Sequence, residues 1–122
     1  MASPASEERI AAAERELGVR LMIEHRARLA RNNGGEVICE GSAWRLHPVW
    51  DDTDRRTAAR TASHIVHETR EARAWSGFPD DAVAIASDGS GDVLIVRAGT
   101  TYVEHWEHET GACVRVEVDW SH

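Results

Sequence analysis

Apolar residues recur at helical spacing near the start of the chain. Ile10, Ala13 and Leu17 fall at i, i+3 and i+7, which places them on one face of a helix. Ser6 is positioned to cap that helix, and Glu7 and Glu8 occupy the first turn, where the helix dipole favours negative charge. Gly18 ends it. A second short helix is predicted from about Leu21 to Arg31, with Met22, Leu29 and Ala30 as its apolar side. The stretch Asn32, Asn33, Gly34, Gly35 follows as a structural turn, its glycines supplying left-handed residues past the helix end. "EVICEG" and "AWRLHPV" read as two strands. The longest helical pattern runs from Trp50 to Trp75. Asp52 or Thr53 caps it, Asp54 lies in the first turn, and Ala58, Ala62, Ile65, Val66, Thr69 and Ala72 trace one alanine-rich stripe. Gly77 and Pro79 break it.

Beyond Pro79 the period becomes two. Val114, Val116, Val118 and Trp120 share one face of a strand, and Cys113, Arg115, Glu117 and Asp119 share the other. "TYVEHW" pairs with that strand across a turn marked by Gly111, and "AVAIAS" and "DVLIV" precede it. The expectation is an α+β fold in a single domain spanning residues 1–122: N-terminal helices plus a mainly antiparallel sheet that ends in a four-strand meander.

Length and composition agree with one globular unit. The chain has 122 residues, 42% of them hydrophobic and 29% charged. It has no apolar run of membrane-spanning length, and "MASPASEERI" lacks the basic and then apolar order of a leader, so a cytoplasmic chain without membrane contact is expected. Cys39 and Cys113 are too few for a disulfide framework and read as buried free thiols.

Charge changes the picture more. The net charge of −7 is unevenly placed. From Gly77 onward the acids are Asp80, Asp81, Asp88, Asp92, Glu104, Glu107, Glu109, Glu117 and Asp119, against Arg97 and Arg115, so 2 − 9 = −7. The first 76 residues carry 12 acids and 12 bases. Such a field repels phosphate backbones, which argues against direct nucleic-acid binding, and draws in a basic protein partner.

Candidate chemistry is sparse. The turn from Ser87 to Asp92 holds Asp88, Gly89, Ser90 and Gly91. A phosphate cradle needs a Gly-rich loop opening a helix, but these glycines lie between strands, with two carboxylates beside them. An EF-hand needs Gly at loop position six and Glu at position twelve, where this chain has Val93 and Gly99. What remains is a hairpin turn in which Gly89 or Gly91 takes positive φ. His64 with His67, and His105 with His108, form two H-x-x-H pairs with neighbouring Glu. Only the first pair shares a helical face. On a strand, i and i+3 point apart unless a turn intervenes. No catalytic, metal or cofactor site is assigned. Five tryptophans (Trp44, Trp50, Trp75, Trp106 and Trp120) are read as core and its edge, with any exposed one beside the acids a binding anchor. Trp106 is placed with the partner-binding residues.

"RELGVRL", "NNGGEV", "GFPDDAVAIASDGSGDVLIV" and "YVEHWEHETG", in that order and spacing, resemble the SUKH superfamily. That group includes the domain of the yeast cell-wall-synthesis regulator and many bacterial toxin-immunity proteins. The resemblance covers about Glu14 to Val118. Leu21-Met22 stands where members usually have Leu-Pro, and "VDWSH" stands where many have a further helix, leaving a rim that is open or closed by Trp120. The resemblance implies a non-catalytic domain that, in bacterial relatives, binds and blocks a cognate toxin, often a nuclease. Three readings follow. One is an immunity protein with a partner-binding surface of Asp80, Asp81, Asp88, Asp92, Glu104, Trp106, Glu107 and Glu109. The others are a scaffold module of the same fold and a small metal-dependent enzyme built on the His/Glu pairs.

Overall fold

The computed structural model describes residues 3–122. Helix α1 (Glu7–Leu17) begins at Ser6, whose side chain accepts the Arg9 N–H at 3.2 Å. It ends at Gly18, with φ 73° and its N–H on the Glu14 carbonyl. Ile10, Ala13 and Leu17 are its buried residues, as their spacing predicts. Helix α2 (Ile23–Arg31) differs from expectation. Its N-cap is Met22, without a side-chain cap, and Ile23 is 83% exposed. It buries His25, Arg28 and Leu29, while Ala30 faces out.

Arg28 organises the segment that follows. Its guanidinium is buried and donates to the carbonyls of Asn32, Gly34 (2.8 Å) and Glu36 (3.1 Å). These carbonyls replace water around the buried charge and fold residues 32–36 over it. The helix cap itself is Asn32 in extended conformation, so Gly34 and Gly35 (φ 120° and 73°) shape the loop and do not cap the helix. Asn33 is buried and clasps Val49, donating to its carbonyl at 3.0 Å and accepting its N–H at 2.8 Å.

Strands β1 (Glu36–Cys39) and β2 (Ser42–Leu46) form a hairpin around Glu40 and Gly41, both at positive φ. The predicted long helix is two. Helix α3 (Arg55–Arg60) starts at Asp54, which caps through the Thr57 N–H at 2.7 Å. Helix α4 (Ile65–Ala72) starts at His64, whose ring accepts the His67 N–H. The break falls where Thr61 turns its hydroxyl onto the Asp51 and Thr57 carbonyls. Ile65, Val66, Thr69 and Ala72 keep the buried stripe of the second half.

The meander is β3 (Ala82–Ser87), β4 (Val93–Arg97), β5 (Val103–Trp106) and β6 (Cys113–Val116). A two-residue strand, β7 (Val118–Asp119), then pairs with β1. The antiparallel sheet has the order β6-β5-β4-β3-β2-β1-β7. Its two edge strands are consecutive in the chain and are joined through Glu117 alone. The sheet therefore curls until it nearly closes. This corrects the single half-buried strand expected over 113–120: Val114 is 59% exposed, Val116 is buried, and Val118 and Trp120 are half-buried after the bend. Trp120 covers the rim by stacking on His25, with ring centroids 5.0 Å apart.

Strands β3 and β4 are buried on both faces. Val83, Ile85, Leu94 and Val96 enter the main core with Ile10, Leu29, Leu46 and Ile65. Ala82, Ala84, Val93 and Ile95 face the other way and meet Phe78, Ala72 and Trp106 in a second core. This double burial is why both strands read as unbroken apolar runs.

Candidate interaction surface

The β1–β2, β3–β4 and β5–β6 turns gather at one end of the sheet, and one carboxylate ties them. Asp92, closing the β3–β4 turn, accepts the His108 N–H at 3.1 Å and meets His108 Nδ1 at 2.5 Å. Its other oxygen lies 2.7 Å from His105 Nε2. The far side of the His105 ring meets Glu40 at 2.9 Å, and Trp44 packs edge-on at 5.0 Å. The two rings converge because the chain turns after Trp106, which reverses the outward direction that an extended strand would give His108.

The electrostatics follow from these contacts. Burial works against the Asp92 charge, but hydrogen bonds from His108 and His105 prevail and hold its carboxyl at about 2. Burial likewise opposes a charged His105, and its bonds to Glu40 and Asp92 outweigh it and raise the pKa. The bond to Asp92 raises His108, with Glu109 and Asp88 adding to the pull. No group of three or more His, Cys, Asp or Glu among the described residues is arranged to hold a metal ion.

In the turn itself, Asp88 accepts the Ser90 N–H at 2.8 Å and its hydroxyl at 2.7 Å. Gly89 and Gly91 both take positive φ, 89° and 114°. The turn is thus a self-bonded hairpin connection, and the left-handed conformation is required at both glycines.

The predicted acids divide into separate groups. Asp92 is spent on the two histidines. Glu104 and Asp81 are spent on Arg97, at 2.8 and 2.7 Å. Asp80 and Asp81 precede β3 and so lie a strand length from the 88–92 turn, at the opposite end of the sheet. Asp88, Glu107 and Glu109 remain exposed at the tied end, with no cationic side chain at ion-pair distance among the described residues. Glu40, 51% exposed, also lies at this end and is bonded to His105 at 2.9 Å. The charge pattern did not single it out, because it lies in the half of the chain that sums to zero. The one available sequence sign was a Glu-Gly pair between two strands.

Trp106 is not at the surface. It is 1% exposed, donates its indole N–H to the Gly77 carbonyl at 3.1 Å, and packs against Phe78 at 5.2 Å. The exposed aromatic at this end is its stacking partner Trp75, 44% exposed, with centroids 5.9 Å apart. The adjoining Gly77 lies against Gly111 of the β5–β6 turn. Trp75 is therefore a rigidly backed indole beside the turn that carries Glu107 and Glu109. Of the two thiols, Cys39 is buried and Cys113 only half so.

Helices packed on a curled antiparallel sheet, with an acidic set of turns at one end, define an α+β domain that offers a charged surface. The chain belongs to the SMI1 / KNR4 family (SUKH-1), whose sequence model matches residues 4–122. No curated protein and no solved structure matches the chain. Among the described residues no helix is long and apolar enough to cross a membrane.

Proposed function

We propose that this protein is an immunity protein that acts by binding and not by catalysis, in the cytoplasm of a bacterium. Its partner is a cognate toxin with a basic surface, a nuclease in the simplest case. The observation that carries the reading is the set of exposed carboxylates, Asp88, Glu107 and Glu109, with no ion-pair partner among the described residues, on two turns locked together by Asp92. A toxin that acts on nucleic acid needs a cationic surface for phosphates. Carboxylates held at turn tips compete for that surface while losing little hydration of their own. Their field also speeds encounter. Family membership supports the same reading.

The test is co-expression with a toxin gene found next to its own. Growth of cells carrying both genes, and arrest of cells carrying the toxin alone, is the expected result. A toxin left fully active by the intact protein contradicts the reading and favours a scaffold role for the same fold.

A further inference from the structure

A cavity of about 310 Å³ lies on the helical side, between α1, α4 and the segment after β2. Its floor is made of Ala12, Ala13 and Val66, whose short side chains leave room for a ring between the helices. Its wall is Trp50, 40% exposed. The backbone around Trp50 is fixed on both sides. Asn33 clasps Val49, the Pro48 carbonyl accepts the Ile65 N–H at 2.7 Å, and the Asp51 N–H donates to Thr61 Oγ1 at 3.0 Å. A large indole is thus held half-open by a rigid frame, so little ordering is needed for a ring to lie against it.

The polar groups around the cavity are mostly donors. His64 spends Nδ1 accepting the His67 N–H, which leaves the proton on Nε2. Its ring is 5.4 Å from that of Trp50. Arg9 reaches the cavity while bonded to Asp52 at 2.8 Å. Arg70 is 69% exposed, and its nearest acid is Glu16, at a loose 3.8 Å. Of the lining groups, two guanidiniums and one imidazole stand with one carboxylate, Glu16. Arg9 is already held by Asp52, with Asp51 at 3.7 Å, so Arg70, paired with Glu16 only at 3.8 Å, is the cation that an incoming acid can take over, and the walls suit a flat apolar body.

We propose that this cavity is a binding site for a small aromatic carboxylate, its ring against Trp50 over the alanine floor and its carboxylate on Arg70. The volume is at the lower end of small-molecule sites, about 300–1,000 Å³, which suits a single ring with a short acid arm. The site is on a different face from the acidic turns and stands or falls independently of the immunity reading.

The experiment titrates the protein with 3-phenylpropionate and with its uncharged amide, followed by heteronuclear NMR. The expected result is saturable shifts at the Trp50 indole N–H and along α1 and α4, with the amide about tenfold weaker. Arg70→Gln lowers the acid to the level of the amide and leaves the amide unchanged. Ala12→Leu, at a half-exposed position that tolerates a larger side chain, fills the cavity and abolishes both. Equal binding of acid and amide, shifts confined to other surfaces, or no saturation up to about 10 mM overturns the proposal.

Discussion

Asp92 grips His108 twice, through the backbone N–H at 3.1 Å and the ring Nδ1 at 2.5 Å. The β3–β4 and β5–β6 turns are fastened by these contacts, and the sequence between Ser87 and Asp92 takes its meaning from them. A stretch rich in carboxylates, hydroxyls and glycines looks like a ligand loop, yet its acids bond to its own serine and to two histidines.

Replacing Asp92 by Ala removes the fastening. His105 and His108 are raised in the folded state, so the stability they confer is fully present below their ordinary pKa of 6.5 and is lost as pH rises through the folded value. The Asp92→Ala variant is therefore expected to melt several degrees lower than the parent at pH 5.5, with a smaller gap at pH 8.5. Thermal melts across that range check this. A gap that does not change with pH contradicts the ionic role of the pair.

Gly89 and Gly91 both require positive φ, but their surroundings differ. A Cβ at Gly89 meets open space, whereas one at Gly91 lies 3.0 Å from His108 Cγ. Gly89→Val is expected to cost about 1 kcal/mol, and Gly91→Val at least about twice that because His108 must also move. Urea unfolding of the two variants measures the difference. Equal losses would show that His108 yields freely.

His25 is wholly buried under Trp120, with neither ring nitrogen partnered in the protein. Burial, with His47 and Arg28 nearby, lowers its pKa to about 3, and burial lowers His47 to about 4. Both are depressed bases. Stability is full above 6.5 and falls as pH drops toward the folded values, because the unfolded chain binds more protons. His25→Leu is expected to fold as stably as the parent at pH 7.5 and to lose part of the decline between pH 6 and pH 4. Chemical denaturation at both ends of that interval is the check, and an unchanged acid slope would remove His25 from the account.

Much of the fold was legible in local chemistry. Ser6 and Gly18 bound α1 because capping needs only the residue and its immediate neighbours. The meander was legible because apolar runs of strand length and Asp-Gly or Gly-containing turns are local too. The errors lie where distant groups decide. The α3–α4 break keeps Ala58, Ala62 and Ile65 in helical phase, so periodicity carries through it, and the hydroxyl of Thr61 reaching Asp51 is a tertiary contact. Alternation likewise runs through the bend at Glu117, where the chain leaves β5 and finds β1. At the candidate surface, composition located the negative charge but could not subtract Glu104 and Asp81, which Arg97 takes, or Asp92, which the histidines take. Trp106 and Trp75 were indistinguishable as letters. Phe78 packs against both, and only Trp106 is drawn inward by its indole N–H on the Gly77 carbonyl.

On the proposed function, Asp88, Glu107 and Glu109 draw in a basic toxin. Exposed charges of this kind act chiefly on the association rate and are screened by salt. The most direct measurement is the association rate with the proposed cognate toxin, taken across ionic strength, for the parent and for Glu107→Arg with Glu109→Arg. The parent rate is expected to fall steeply with salt. The folded double variant is expected to associate at least about tenfold more slowly at low salt and to lose most of the salt dependence. A rate indifferent both to salt and to the double reversal would contradict this reading, and would place the contact on the helices.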